Sequence, residues 1–324
     1  MTPLIYVTAP LAGERLSELA AHCDLRIADS GAGLNAANAP PLLAQCQGLL
    51  CLLTDRIDAA LLDRMPDLRF VSSVSVGVDH VDVAALTERG IPLGHTPGVL
   101  VEATADTAFA LLLAAARRVA EGDRFVRAGH WVPESRWAPD FFLGKDVSGA
   151  TLGIVGLGGI GQAVARRALA FGMRVIAWSR SGRRMAGVDN VSLETLLQRS
   201  DFVSVHVALC AATRNLLNAD RIATMKPGAV LVNTARGDIV DEAALAMALN
   251  EQRLFAAGLD VFEREPLDTD SALLEHPRVV FTPHIGSATG QTRAAMLGLA
   301  IDNALAVLQG REMPRCANPQ VYTR

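Results

Sequence analysis

The 324 residues are enough for two domains, each with its own core, and a net charge of −4 excludes a field strong enough to recruit nucleic acid or an anionic membrane. The five cysteines (Cys23, Cys46, Cys51, Cys210, Cys316) are odd in number and form no C-x-x-C pair, which argues against a disulfide framework or a zinc site and for a reducing cytosol. The opening residues, MTPLIYVTAPLAGERL, have no basic stretch before the apolar run, and the most apolar helical candidate, 108–116, is far too short to span a bilayer. A soluble cytoplasmic protein with a small-molecule partner is expected.

Along the chain, four short β-rich runs come first: LIYVTA from Leu4, GLLCLL from Gly48, RFVSSVS from Arg69 and IPLGHT from Ile91. Thr96-Pro97-Gly98 then punctuates the chain, and a long helical stretch over 102–120 follows. Six buried-strand candidates come next, TLGIVG, RVIAWS, FVSVHV, AVLVNTA, FAAGLDVF and VVFTPH, with helices between most of them. A last helix over 289–308 leads to a tail that can return to the first unit. The alternation predicts an α/β chain of two doubly wound parallel-sheet domains.

The strongest local signal is Gly156, Gly158 and Gly161, a G-x-G-x-x-G run between a strand and an amphipathic helix. The first glycine permits a tight turn, the second lets backbone approach a pyrophosphate, and the third lets the helix pack on the sheet. Gly159 and Ile160 open that helix, whose free N–H groups face the phosphate position. About ~20 residues past the motif an acidic residue would accept the ribose hydroxyls of NAD. The sequence has AWSRSGRR there, so Ser179, Arg180 and Ser181 stand in place of the acid, with Arg183 and Arg184 close behind. A solvated basic turn is one reading. Loss of the acid together with gain of an arginine favours the other, a grip on a 2′-phosphate and hence NADP(H) over NAD(H).

Three loops at probable strand ends carry an ionisable residue where open α/β sheets bind ligands: Arg236 in VNTARGDIVDE, Glu265 in GLDVFEREPL and His284 in FTPHIGSAT. Arg236 has the fork to hold a carboxylate, and His284 can give a proton to a carbonyl oxygen as hydride arrives at its carbon. Glu265, bonded to the other imidazole nitrogen, would fix the tautomer and keep the acid form available near neutral pH. Taken singly, they read equally well as a surface ion pair, a helix-start acid and a satisfied histidine.

NTARGDIVDE, GLDVFEREP and TPHIGSAT resemble the signature segments of the D-isomer-specific 2-hydroxyacid dehydrogenases, and the resemblance extends along essentially the whole chain. It implies Arg236 as substrate anchor, Glu265 as partner of the histidine and His284 as acid/base, and it adds Thr104, Ala235 and Asp260 to the cofactor contacts. SVSVGVDHVD is similar to the family's substrate loop, which implies that the N–H groups of Val76 and Gly77 hold the substrate carboxylate. The implied architecture is a flavodoxin-like substrate domain, 1–98 with 287–324, and an inserted Rossmann cofactor domain, 99–286, which also makes most of a homodimer contact. CLLTDRID, VEATADTAFALLLAAARRV and GREMPRCANPQV look most like the glyoxylate, hydroxypyruvate and 2-ketogluconate reductase branch, where NADPH is common. Leu53 and Leu100 match positions that border the substrate there, and Trp137 in ESRWAPDFF would reach toward the neighbouring subunit's site; core packing is the other reading of all three. An NAD-dependent dehydrogenase of phosphite or aryl-pyruvate type, and a nicotinamide-sensing corepressor-like binding protein, remain open alternatives. No metal is needed by this chemistry and no ligand cluster for one is visible.

Overall fold

A computed structural model describes residues 2–11 and 13–323. Its contacts divide the chain into two units, Met1–Leu100 with Ala288–Arg324, and Val101–Ser287.

The first unit is built on a five-stranded parallel sheet of β1 (Leu4–Val7), β2 (Asp24–Ile27), β3 (Gly48–Cys51), β4 (Phe70–Ser73) and β5 (Leu93–Gly94), in the order β2-β1-β3-β4-β5. β3 and β4 are buried along their whole length, β3 with the apolar run GLLC expected of a strand covered on both faces and β4 with Ser72 and Ser73 buried beside Phe70 and Val71. β2 was not anticipated, because an exposed edge strand of four residues reading DLRI has no apolar run and its single alternation is too short to stand out. The helix Gly290–Leu308 starts at Thr289, whose side chain accepts from the Thr292 N–H, and buries Met296, Ala300, Ile301 and Ala304. It docks on β4, where the Ser72 hydroxyl donates to the Ala300 carbonyl at 2.8 Å.

One buried carboxylate ties three loops of this unit together. Asp55, 3% exposed, accepts from the Leu34 N–H at 2.6 Å, the Leu52 N–H at 2.7 Å and the Thr8 hydroxyl at 2.5 Å. Burial raises its pKa, and the three donors act against that.

The second unit holds seven parallel strands, β6 (Thr151–Val155), β7 (Arg174–Trp178), β8 (Val188–Asn190), β9 (Phe202–Val205), β10 (Ala229–Asn233), β11 (Leu254–Leu259) and β12 (Val279–Phe281), in the order β12-β11-β10-β9-β6-β7-β8. The order reverses between β6 and β9, and the crevice beyond their carboxyl ends is where such sheets bind ligands. The short edge strand β8 escaped the sequence reading because its VDN offers one apolar residue.

The expected single helix over 102–120 is two helices, Val101–Ala116 and Val119–Arg127. The break is made by a segment distant in sequence. The Lys145 N–H caps the Ala116 carbonyl at 2.8 Å, an approach that only Gly144 permits, since a Cβ there would lie 2.5 Å from that oxygen. Arg118 then turns the chain at φ 54° and binds Glu121 through Nε and Nη2 at 2.8 and 2.6 Å. No helix among the described residues is long and apolar enough to cross a membrane.

Two outcomes are expected. Replacing Asp55 by Ala leaves two buried amides and a hydroxyl without an acceptor and should lower unfolding free energy by about 2–4 kcal/mol in urea titrations; an unchanged midpoint would contradict the knot. His206, which follows β9 and lies 2.8 Å from the Ser204 hydroxyl through Nε2, has its pKa pushed down by burial to about 3. The folded state therefore binds fewer protons than the unfolded one between that value and the ordinary histidine value of about 6.5. Stability should fall as pH drops through this window, and His206→Asn should flatten that part of the profile.

Candidate active site

The glycine-rich turn leaves β6 at Gly156, whose φ of 106° suits only glycine and whose Cβ would lie 2.7 Å from the His206 carbonyl carbon. A Cβ on Gly161 would fall 2.1 Å from the Gly156 oxygen, so the third glycine sets how closely helix and turn pack. Gly158 differs, because a Cβ there would meet nothing within 4 Å. It caps the helix Gly159–Ala170 without a side-chain bond, and the free N–H groups of that first turn, at Gly159 and the half-buried Ile160, keep the open side a pyrophosphate requires.

Beyond β7, Ser179 and Ser181 lie with their hydroxyls 3.0 Å apart, and Arg180, Arg183 and Arg184 are exposed. No carboxylate pairs with Arg180 or Arg184 among the described residues. Arg180 Nη1 donates instead to Cys210 Sγ at 3.2 Å. A hydrogen bond from Thr213, together with the Ala212 N–H and Arg180, lowers the Cys210 thiol pKa. Sequence reasoning passed over Cys210, since it lies 30 positions from Arg180 and nothing between them signals that the loops meet.

The loops after β10, β11 and β12 bring Arg236, Glu265 and His284 together. Asn233 shapes the first loop by accepting from the Ala235 N–H at 3.0 Å and donating to the Arg236 carbonyl at 2.8 Å. Arg236 Nη1 also donates to the Ala235 carbonyl at 2.7 Å. Gly237 is dictated by proximity, because a Cβ on it would come within 1.8 Å of the Phe262 carbonyl carbon. That approach joins the arginine loop to the glutamate loop.

Glu265 accepts from the Phe262 N–H through Oε1 at 3.1 Å and meets His284 Nδ1 through Oε2 at 2.7 Å. Burial alone would raise the Glu265 pKa. The hydrogen bond and charge of His284, with help from the Phe262 N–H and Arg236, bring it below the ordinary value, so the group is a carboxylate. A carboxylate accepts only, hence His284 Nδ1 carries the hydrogen and Nε2 is left to exchange a proton. Nε2 has no partner among the described residues.

Asp260 supports this contact from behind. Only 1% exposed, it accepts from the Thr282 hydroxyl and the Ile285 N–H through Oδ1 at 2.6 and 2.8 Å, and from the Gly286 N–H through Oδ2 at 2.8 Å. Thr104 is buried beside Gly286. The loop so held puts His284 at φ 52°. In the first unit, Val76 and Gly77 follow β4, Leu53 is half-buried after β3, and Leu100 is 5% exposed. Trp137 is 81% exposed. The described residues contain no cluster of His, Cys, Asp or Glu fit to hold a metal ion.

The NAD binding domain of the D-isomer specific 2-hydroxyacid dehydrogenases matches residues 109–286. A glyoxylate reductase of Korarchaeum cryptofilum is 44% identical over 325 residues, covering 99% of this chain and 97% of its own. A glyoxylate/hydroxypyruvate reductase B of Shigella boydii is 47% identical over 285 residues, 86% of this chain and 87% of its own. The crystal structure of an NADPH-dependent glyoxylate/hydroxypyruvate reductase of Sinorhizobium meliloti, with NADP and malonate, superposes with a TM-score of 0.88 at 34% identity, covering 98% of this chain and 97% of that one. The chain belongs to the D-isomer-specific 2-hydroxyacid dehydrogenase family, in its glyoxylate/hydroxypyruvate reductase branch, and is an NAD(P)-dependent oxidoreductase.

Proposed function

We propose that the protein reduces small 2-keto acids (glyoxylate, hydroxypyruvate and 2-ketogluconate) to D-2-hydroxy acids, with NADPH as the preferred donor. The observation that carries this reading is the 2.7 Å contact of His284 Nδ1 with Glu265, which leaves Nε2 to protonate a carbonyl oxygen. Arg236 acts on the same carboxylate electrostatically, and its guanidinium holds the substrate carboxylate and polarises the neighbouring carbonyl. The N–H groups of Val76 and Gly77 also bind the substrate carboxylate, and Leu53 and Leu100 border the substrate.

A dinucleotide fits the second unit, whose open Gly158 and uncapped helix suit a pyrophosphate. Gly156 to Gly161, Thr104, Ala235 and Asp260 would hold it, and Ser179, Arg180, Ser181 and Arg184 would take a 2′-phosphate. Bound there, the nicotinamide supplies the hydride that the carbonyl carbon accepts. The 1–98 and 287–324 segments then serve the substrate and 99–286 the cofactor. A homodimer through the cofactor domain would cover the exposed apolar side chains of Val119, Val126, Trp131, Trp137 and Leu143, and Trp137 would reach toward the neighbouring subunit's site.

Initial rates with glyoxylate and hydroxypyruvate should be higher with NADPH than with NADH. Arg180→Ala should raise KM for NADPH about 10- to 100-fold and leave that for NADH nearly unchanged; equal effects on both would reduce the loop to a solvated turn. His284→Ala should lower kcat by about 10²–10⁴ while dinucleotide binding persists, and near-normal turnover would remove it from the proton transfer.

A further inference from the structure

We infer that His95 is a positioning residue, whose imidazole fixes the peptide that aims the Gly77 N–H at the substrate carboxylate. The inference rests on the reading that the Val76 and Gly77 amides receive that carboxylate.

A peptide unit is planar and trans, so capturing its carbonyl fixes the N–H of the next residue in the opposite direction. Three successive carbonyls of the loop after β4 are captured. The Ser75 carbonyl accepts from the Thr96 N–H at 2.8 Å, which sets the Val76 N–H. The Val76 carbonyl lies 3.1 Å from His95 Nδ1, which sets the Gly77 N–H. The Gly77 carbonyl accepts from the Ser75 hydroxyl at 2.7 Å, which sets the Val78 N–H. Among the described residues the N–H groups of Val76, Gly77 and Val78 donate to nothing. Successive amides without acceptors, with their carbonyls tied back, form a receptor for an anion.

The donors are directed. A carbonyl only accepts, so His95 Nδ1 carries its hydrogen toward Val76. The Ser75 hydroxyl uses its hydrogen on Gly77, so across the 2.7 Å Ser73–Ser75 contact Ser73 donates. Ser73 has then no hydrogen left for His80 Nε2, 3.0 Å away, and His80 donates to it. The chain of bonds runs one way, from His80 through Ser73 and Ser75 to the Gly77 carbonyl.

His95 is itself held from the C-terminal segment. Its N–H donates to the Arg315 carbonyl and its carbonyl accepts from Asn303 Nδ2, both at 3.1 Å. Asn303 is fully buried, and its Oδ1 accepts from the Arg315 N–H at 2.9 Å. Gly94 makes room for this, since a Cβ there would lie 2.8 Å from Asn303 Nδ2. The imidazole thus reaches Val76 from a backbone fixed on both sides.

The test compares His95→Leu, which fills the space without a donor, with His95→Asn, which puts an N–H donor as many bonds from Cα as Nδ1. The readouts are KM and kcat for glyoxylate, KM for NADPH, and the thermal midpoint. His95→Leu should raise KM for glyoxylate about tenfold or more, with kcat and KM for NADPH within about threefold of the parent, and His95→Asn should restore it. An unchanged KM in a folded His95→Leu, or an Asn variant as impaired as the Leu variant, overturns the inference. Should His95→Leu fail to fold, the His95→Asn result decides, near-parental KM supporting the role and a tenfold rise refuting it. Gly77→Pro, which deletes the amide, separates the layers. If it raises KM while His95→Leu does not, the amide binds carboxylate without help from His95. If neither changes KM, the carboxylate does not bind at this loop.

Discussion

The geometry of the candidate site in the second unit depends on one buried carboxylate. Asp260 takes one hydroxyl and two amide hydrogens from residues 282–286, and with them holds the loop in which His284 has a left-handed backbone. Histidine tolerates that region better than most residues, but it still costs on the order of 1 kcal/mol, which the three bonds offset. Without this brace the imidazole has no fixed direction and Glu265 no fixed partner. The close passage of Gly237 against the backbone of Phe262 and Glu263 does the same for the arginine, joining two loops that leave different strands.

The first unit uses the same device. Asp55 gathers three loops around one carboxylate, and His95, Ser75 and Thr96 turn the peptides after β4. In each place a side chain or amide satisfies backbone groups of its own loop or of a neighbouring one. Functional loops at the ends of parallel strands lack ladder hydrogen bonds, and these contacts replace them. Rigidity is therefore built by the polar residues beside the site as much as by the apolar core beneath it.

Ten of the twelve strands are legible as apolar or β-branched runs, because strands buried on both faces need continuous apolar residues. β2 and β8 are edges, and DLRI and VDN carry no such requirement. The break at Arg118 was hidden because it is made by Lys145 and Gly144, a distant segment that a helical period cannot report. Arg236, Glu265 and His284 could be picked out, since each follows a strand and carries a charge into a loop. The contacts that orient them were harder, because the bonds of Asp260 to 282–286 depend on pairing of strands far apart in sequence. His95 and Cys210 gave no sign at all, because their partners, Val76 and Arg180, are fixed only once the loops fold.

The most direct measurement is steady-state reduction of glyoxylate by NADPH with Glu265→Gln, which keeps size and one acceptor oxygen but removes the charge beside His284. The account predicts a fall in kcat of about 10- to 1,000-fold with KM for NADPH near the parental value. A kcat within twofold of the parent would mean that the Glu265–His284 contact is structural and that the proton comes from elsewhere.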